Sequence, residues 1–358
     1  MLYLLLYPLR AEYVPLNVFR YITFRTLLAG LTALTLSLVL GPTLIRRLSA
    51  LQIGQSIRSD GPAAHATKAG TPTMGGTLII FSFMLATLLL ADLTDWYVWV
   101  ALGVTLGHGL IGFLDDYAKV RRRSSAGLSG KTRLVAEFAL AGAAAAAIYT
   151  WSGYGGQVTM PFLKDVRPDI GLWYVPFGAL VVVGAANAVN LTDGLDGLAI
   201  GPVMIAGGTY AVFAYTAGHA RIAEYLQIPF VAGAGELAVF CGALAAAGLG
   251  FLWFNAYPAQ MFMGDVGSLA LGAALGIVAL ITRQEVVLVL VGGVFVVEAL
   301  SVIGQVASYK LRRKRIFRMA PIHHHFELLG WPEPQIIVRF WIVSVVCALL
   351  ALSTLKLR

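Results

Sequence analysis

Charged residues are scarce in this chain. Lys, Arg, Asp and Glu make up 12% of its 358 residues, whereas hydrophobic residues make up 58%. Soluble domains carry about 25% charged residues, so half that share leaves too little polar surface to cover a water-soluble globule. Together with a mean hydropathy of +0.79, this composition predicts an integral membrane protein.

Cysteine is nearly absent as well. Cys241 and Cys347 each sit inside an apolar run, which favours packed side chains over a disulfide or a metal site. Residues 1–9 are apolar but lack a basic n-region, so we expect an interfacial segment rather than a cleavable signal peptide. Without repeats or a low-complexity tail, the sequence predicts a single transmembrane domain over residues 1–358.

Long apolar runs fill most of the sequence. A membrane-spanning helix needs about 20 mostly apolar residues, and ten stretches come close to this length. They predict an all-α, polytopic fold. Their approximate limits are 22–45, 74–92, 96–114, 132–151, 172–189, 198–216, 237–254, 267–283, 286–308 and 337–355.

Most of the positive charge lies in three connections. Seventeen of the 26 Lys and Arg residues follow the first, third or ninth predicted span. Odd-numbered spans end on one face of the membrane, and the positive-inside rule makes that face cytoplasmic. Ten spans then place both termini on the periplasmic side. This distribution accounts for the net charge of +8 through orientation and lipid contact, so no nucleic-acid partner is predicted.

Two adjacent acidic residues close the third span. Asp115 and Asp116 lie at the predicted membrane boundary, and Lys119 follows one turn later. Paired carboxylates at such a boundary are unfavourable unless a cation neutralises them. The pair therefore predicts a site for Mg²⁺ or a cationic partner, with a solvated helix end as the alternative.

Side-chain oxygens are concentrated in residues 187–197, a predicted short turn after the fifth span that is called the Asn/Asp turn. Oxygen ligands of this kind suit hard cations, and interleaved glycines let a ligand approach the backbone. An EF-hand is excluded, because the twelfth position of a loop starting at Asp193 is Met204 rather than Glu. The residues concerned are Asn187, Asn190, Thr192, Asp193, Gly194, Leu195, Asp196 and Gly197.

The connection after the seventh span begins at Asn255. It contains Phe262, an aromatic ring that either packs in the interior or stacks on a base, and Asp265 between two glycines. Asp265 is predicted to lie at the N-terminus of the next helix, where the dipole and free N–H groups attract anions.

Three consecutive histidines follow the ninth span, His323, His324 and His325. Successive side chains on a helix point about 100° apart, so three in a row cannot converge on one zinc ion. We expect two of them to donate hydrogen bonds to a phosphate or sugar, with a plain surface run as the alternative.

Two further basic residues, Lys68 and Lys131, lie in sequences that have more than one interpretation. Lys68, before the second span, either marks the cytoplasmic boundary or pairs with a bound phosphate. Gly130-Lys131-Thr132 resembles the end of a P-loop, but Ser125 stands where that motif requires glycine.

Every one of these motifs follows an odd-numbered span, and the outer connections contain nothing comparable. This predicts one cytoplasmic site where a soluble nucleotide donor meets a lipid acceptor. Mg²⁺ takes one or two protein carboxylates plus substrate phosphates. Phosphoryl transfer needs mainly positioning and charge neutralisation.

The motifs resemble those of the polyprenyl-phosphate N-acetylhexosamine-1-phosphate transferase superfamily over essentially the whole chain. Residues 115–117, 187–197, 262–265 and 321–326 carry the resemblance. The histidine segment and the Asn/Asp turn are specifically similar to bacterial phospho-N-acetylmuramoyl-pentapeptide transferases. That similarity implies transfer of phospho-MurNAc-pentapeptide from UDP-MurNAc-pentapeptide to undecaprenyl phosphate, giving lipid I and UMP. It also implies Mg²⁺ as cofactor and a homodimer of ten-helix subunits in the bacterial inner membrane.

The resemblance implies residue roles too. Asp265 is the expected Mg²⁺ ligand, with Asp115 and Asp116 as further candidates that serve the lipid phosphate. His324 completes the catalytic set. The expected substrate-binding residues are Lys68, Lys119, Lys131, Asn187, Asn190, Asp193, Gly194, Leu195, Asp196, Asn255, Phe262, His323 and His325.

Several alternatives stay open at this point. The acceptor phosphate either attacks the donor directly or follows a covalent phospho-aspartate intermediate. A GlcNAc-1-phosphate transferase of the same superfamily is the alternative enzyme. A transporter is the alternative from another class, although Glu137 and Glu298 are the only charges predicted inside the membrane.

Overall fold

The computed structural model describes residues 1–51, 70–122, 127–163 and 166–356. Regular structure in these ranges is helical, apart from isolated bridge residues, which include an antiparallel bridge between Gln157 and Asp169 in the long outer connection. The all-α prediction is confirmed. In chain order the helices are α1 (Leu2–Leu6), α2 (Ile22–Ala50), α3 (Gly76–Leu90), α4 (Trp96–Arg122), α5 (Gly130–Trp151), α6 (Tyr174–Thr192), α7 (Ile200–Ala217), α8 (Ala220–Leu226), α9 (Leu237–Asn255), α10 (Gly264–Ile281), α11 (Val287–Val291), α12 (Gly293–Arg312), α13 (Ile322–Glu327) and α14 (Glu333–Ser353).

Nine helices of the described ranges are long and apolar enough to cross a membrane, which confirms a polytopic membrane protein. They are α2, α4, α5, α6, α7, α9, α10, α12 and α14. The second predicted span coincides with α3, which has 15 residues. A helix of that length reaches about 22 Å, short of the roughly 30 Å hydrocarbon core.

Helix α10 forms the centre of the bundle. It packs against α3, α4, α6 and α7, and every residue from Val266 to Ile281 is buried. Glycine and alanine supply most of its small side chains, and small residues let helices approach closely in lipid. The outer helices α2, α5 and α14 instead expose leucine, valine and phenylalanine side chains, as a lipid-facing surface requires.

The structure differs from two predictions about local structure. The apolar run 286–308 predicts one helix, but the chain is interrupted at Gly292 between α11 and α12. The oxygen-rich segment 187–197 predicts a turn, but Asn187 and Asn190 belong to the last two turns of α6. Apolar runs indicate which segments lie in lipid. They do not reveal a single-residue break within a helix, or a helix that continues into a polar motif.

A buried ion pair ties the bundle together at the end opposite the motifs. Arg25 on α2 donates two hydrogen bonds to the carboxylate of Glu236, each 2.6 Å long. The guanidinium also donates to the carbonyl of Leu90 at the end of α3, and the N–H of Asp92 donates to Glu236. The pair therefore joins three segments that are distant in sequence.

Candidate active site

The site begins with a close contact between two helices. Gly112 on α4 lies directly against the backbone of Asp265 at the start of α10, where a Cβ on Gly112 would stand 2.2 Å from the Asp265 carbonyl oxygen. Asp115 and Asp116 follow Gly112 by about one turn of the same helix. The missing side chain therefore brings this acidic pair beside Asp265.

Three carboxylates and one ammonium group form the centre of the site. Asp115, Asp116 and Asp265 each offer an oxygen, and these oxygens lie within 4.8 Å of one another. The Nζ atom of Lys119 lies 2.6 Å from Asp115 and 2.6 Å from Asp265, and 3.6 Å from Asp116. Lys119 thus neutralises part of a charge that would otherwise be unfavourable at the end of a buried helix.

Backbone and amide groups fix the orientation of each carboxylate. Asp115 accepts a hydrogen bond from the N–H of Leu128 at 2.7 Å, and Asp116 accepts one from the N–H of Val266 at 3.1 Å. Asn190 on α6 donates to Asp265 at 2.7 Å. The three acidic side chains are therefore held before any ligand arrives, and the Asp265 position at a helix N-terminus is as predicted.

A second cation reaches this cluster from α5. Arg133 places Nη1 3.6 Å from Asp265, and its Nη2 donates to Asn187 at 3.0 Å. The buried Glu137 lies 3.4 Å from the Nε atom of Arg133 and accepts a hydrogen bond from Asn187 at 2.6 Å. In the sequence, Arg133 is one of the basic residues that follow the third predicted span. Its i, i+4 spacing from an acid inside a predicted span was the signal that could have identified it.

The Asn/Asp turn forms a second part of the site, next to the carboxylates. Burial raises the pKa of Asp193 to about 8, with further contributions from the nearby charges of Asp265 and Asp116. Asp196 accepts a hydrogen bond from the N–H of Ala259, and its own N–H donates to Glu333. The first contact joins residues 193–197 to the segment that precedes α10, and the second joins them to the start of α14.

Asn255 completes this second part. Its carboxamide oxygen accepts a hydrogen bond from the N–H of Gly197 at 3.0 Å, and its amide nitrogen donates to the carbonyl of Met261. Asn255 therefore holds the turn through the backbone. Leu195 is buried in a small cluster with Leu198, Ile336 and Ile337.

The three histidines lie on the short helix α13 and have different surroundings. His323 is fully buried, and its Nδ1 atom lies 3.1 Å from Glu298 on α12. Its Nε2 atom faces Gly194, where an added Cβ would be 2.3 Å away. His324 pairs with Glu327 at 2.6 Å, and His325 accepts a hydrogen bond from the N–H of Arg318.

The remaining predicted residues lie around this centre. The N–H of Phe262 donates to the carbonyl of Pro72, and its carbonyl accepts from Gly75, so the segment before α10 is joined to the start of α3. Lys131 is exposed in the first turn of α5. Lys68 lies outside the described residues.

The structure thus brings predicted residues into two adjoining groups. The carboxylate group contains Asp115, Asp116, Lys119, Asn187, Asn190 and Asp265. The turn group contains Asp193, Gly194, Leu195, Asp196, Asn255 and His323. His324 and His325 point to other partners on or near α13. Glu137 and Glu298, the acids predicted inside the membrane, each bond to a residue of the site.

The carboxylate group fits a divalent cation by its chemistry. Mg²⁺ prefers oxygen ligands and commonly uses one or two carboxylates together with substrate phosphates. Asp115, Asp116 and Asp265 present three such oxygens in one small region. Lys119 beside them is a donor suited to phosphate. The same arrangement therefore suits a phosphate-bearing substrate and a hard cation together.

Comparisons with known proteins agree with this chemistry. The model of glycosyl transferase family 4 matches residues 98–283, and a phospho-N-acetylmuramoyl-pentapeptide-transferase signature matches residues 68–80. Proteins named phospho-N-acetylmuramoyl-pentapeptide-transferase are 60% identical in Syntrophus aciditrophicus, 59% in Pelobacter propionicus and 58% in a Geobacter species. Each alignment covers 100% of this chain and 100% of the relative. The chain therefore belongs to the phospho-N-acetylmuramoyl-pentapeptide-transferase family.

Proposed function

We propose that this protein transfers phospho-MurNAc-pentapeptide from UDP-MurNAc-pentapeptide to undecaprenyl phosphate, producing lipid I and UMP. The observation that carries the proposal is the group of three carboxylates around Lys119 at one end of the bundle. It lies in a chain up to 60% identical to transferases of that name over its full length.

The reaction requires two anions to meet. The second pKa of a phosphate monoester is about 6, so near pH 7 the acceptor oxygen is already a nucleophile. Repulsion between acceptor and diphosphate is then the main obstacle, and Lys119, Arg133 and Lys131, among the described residues, would reduce it. Mg²⁺ bound by Asp265 with Asp115 or Asp116 would supply further charge neutralisation.

We favour direct attack. The acceptor oxygen forms a bond to the phosphorus that carries the sugar, and the bond from that phosphorus to the bridging oxygen breaks, so UMP leaves with the bridging oxygen. Asp115 or Asp116 orients the acceptor. Because backbone N–H groups and Lys119 already hold these two carboxylates, little reorganisation is needed when substrates bind.

Direct attack and a covalent phospho-aspartate make different predictions without acceptor. Purified enzyme incubated with labelled donor alone should release no UMP and retain no label. Stoichiometric UMP release with the label on protein would refute direct attack.

The remaining residues are proposed to bind the donor. Phe262 stacks on uracil, with Gly194, Leu195, Asp196 and Lys68 around the uridine, and Asn187, Asn190, Asp193 and Asn255 shape the pocket. His323, His324 and His325 serve the diphosphate or the sugar, with His324 as the catalytic member. The position of the His323 Nε2 atom beside Gly194, where a Cβ would lie 2.3 Å from it, supports this role.

Donor choice tests the proposal most directly. UMP release from UDP-MurNAc-pentapeptide, with undecaprenyl phosphate and Mg²⁺, should exceed release from UDP-GlcNAc by a large factor. EDTA should abolish it, and Asp265→Asn should reduce it at least 100-fold, whereas Glu224→Gln, on the exposed surface of α8, should not. A preference for UDP-GlcNAc would instead indicate the related GlcNAc-1-phosphate transferase.

The orientation and assembly are part of the proposal. We place the carboxylate group on the cytoplasmic face of the bacterial inner membrane, count α3 as the tenth span, and expect periplasmic termini and a homodimer of single-domain subunits. The basic residues in the last turns of α2, α4 and α12 and in the segments that follow them support this orientation. Single cysteines introduced as Arg46→Cys or Glu224→Cys are labelled in intact cells, and only the cysteine at position 224 should react.

A further inference from the structure

A strongly basic segment begins in the last turn of α12, continues into the loop after it, and lies outside the catalytic machinery. Six of its nine residues are Lys or Arg, and no acidic residue occurs between Glu298 and Glu327. All six cationic side chains are exposed. This segment, residues 310–318, is called the basic loop, and its cations are Lys310, Arg312, Arg313, Lys314, Arg315 and Arg318.

Large apolar side chains lie among these cations. Leu311 is 83% exposed and Ile316 is 58% exposed. On the preceding part of α12, Leu300, Ile303 and Val306 recur at intervals of three residues and are exposed as well. Apolar side chains beside exposed cations favour a membrane interface over a soluble anion, because only the interface takes up both.

The basic loop is folded back on α12 by a set of hydrogen bonds. The side chain of Gln305 accepts from the N–H groups of Ile316 and Phe317 and donates to the carbonyl of Phe317. The hydroxyl of Ser308 donates to the carbonyl of Lys314 at 2.8 Å. These contacts hold the loop in a defined position and leave its cationic groups outward.

The same loop contacts the histidine helix. The N–H of Arg318 donates to the Nδ1 atom of His325 at 3.1 Å, and the Arg318 guanidinium donates to the carbonyl of Leu328. The ring of Phe317 packs edge-on against His325, with ring centroids 5.7 Å apart. Any partner that fixes the basic loop therefore also fixes one end of α13.

We propose that the basic loop is a docking surface for anionic phospholipid headgroups of the adjoining leaflet, and that this docking steadies the histidine helix. The partner is a lipid surface bearing phosphate diesters with net negative charge. Charge complementarity with six cations supports it, and so do the exposed apolar residues on both sides. A juxtamembrane cluster of this size is typical of anionic-lipid binding.

Lipid binding is measured next to the loop and without turnover. Ala307, exposed on α12, is changed to Cys in a Cys347→Ala background and labelled with bimane in nanodiscs. Quenching by headgroup-spin-labelled phosphatidylglycerol is compared with quenching by the same label on phosphatidylcholine. We expect labelled phosphatidylglycerol to reach half-quenching at a mole fraction at least several-fold lower than labelled phosphatidylcholine requires.

A charge-removing variant tests the cause. Lys310→Gln/Arg312→Gln/Lys314→Gln/Arg315→Gln removes four cations, each expected to contribute about fivefold to the attraction, so most of the preference for phosphatidylglycerol should be lost. Lys310→Arg/Arg312→Lys/Lys314→Arg/Arg315→Lys keeps the charge and should keep the preference. Arg46→Gln/Arg47→Gln, exposed at the end of α2, should keep it too.

Activity separates the lipid from soluble anions. In discs with phosphatidylglycerol the four-glutamine variant should lose several-fold in UMP release, down to the level of the parent chain in pure phosphatidylcholine. In pure phosphatidylcholine the two should be equal. The proposal would be overturned if both lipids quenched equally or if the preference survived in the four-glutamine variant. It would also be overturned if inorganic phosphate displaced the lipid at matched ionic strength, or if the variant lost equal activity in both lipids. The quenching result does not depend on the proposed reaction, so the two can fail separately.

Discussion

The contact between Gly112 and Asp265 leads to a specific prediction for Gly112→Ala. The new Cβ would stand 2.2 Å from the Asp265 carbonyl oxygen and 2.7 Å from the N atom of Val266, both backbone atoms. Ordinary van der Waals contact begins at 3.4 Å. Because neither backbone atom can rotate away, α4 and α10 must separate by about 1.2 Å, the difference between 3.4 and 2.2 Å.

That displacement acts directly on the chemistry. Asp115 and Asp116 move with α4, whereas Asp265 moves with α10, so the geometry of the carboxylates and Lys119 is lost. A misplacement of about 1 Å can cost about 100-fold in rate, and we expect this loss in UMP release at saturating substrate. Overpacking should also lower the free energy of unfolding by about 1–3 kcal/mol.

Gly103→Ala provides the matched control on the same helix. A Cβ at Gly103 would meet nothing within 4 Å, so this variant should retain activity and thermal stability. Both variants are assayed for UMP release at a temperature well below their unfolding midpoints. Wild-type activity in Gly112→Ala, or equal losses in both variants, would show that the close approach of α4 and α10 does not control the site.

Three further predictions follow from buried charges. Glu137→Gln should lower UMP release about tenfold, because Arg133 and Asn187 lose the carboxylate that holds them beside Asp265, and activity equal to that of Glu224→Gln would contradict this. Arg25→Met should destabilise the chain by about 3–5 kcal/mol, because the charge of Glu236 loses its cationic partner. In thermal unfolding, Arg25→Met/Glu236→Met should recover much of this loss. A double variant as unstable as the single one would argue against an uncompensated charge as the cause. Burial raises the pKa of Glu285 to about 7 from an ordinary value of 4.5, so the folded chain keeps a proton that the unfolded chain releases. The stability that this protonated carboxyl contributes is fully present below about pH 4.5 and is lost as the pH rises through 7. The thermal unfolding midpoint should therefore decrease as the pH is raised from about 5 to about 8, and it should decrease less in Glu285→Gln. Parallel pH profiles for the two chains would contradict this assignment.

The sequence predicted the membrane class and much of the site because both depend on linear patterns. Apolar runs located the helices, and alternation of the spans placed Asp115, the Asn/Asp turn, Asp265 and the histidines on one face. These residues converge because the ends of helices on one side of a small bundle are neighbours.

Other features depend on contacts that no linear pattern contains. The approach of Gly112 to Asp265 joins positions 153 residues apart, and in the sequence Gly112 is one of 39 glycines. In the sequence only its spacing from Glu137 distinguishes Arg133 from the other basic residues of its connection, whereas its hydrogen bond to Asn187 is a tertiary contact of the site. The pairing of Glu298 with His323 across the α12–α13 connection is likewise a tertiary contact.

The position of Lys119 has a consequence for biogenesis. Lys119 pairs with Asp115 and Asp116 at i, i+4 and i, i+3 within α4 itself, whereas Asp265 lies 146 residues further along the chain. At a synthesis rate of about 5–20 residues per second, α10 leaves the ribosome roughly 7–30 s after α4. During that interval α4 carries its own counter-ion, so the nascent helix can settle at the membrane boundary with its acidic pair partly neutralised. Replacing Lys119 with an uncharged residue would therefore impair insertion of the helix as well as catalysis by the folded enzyme.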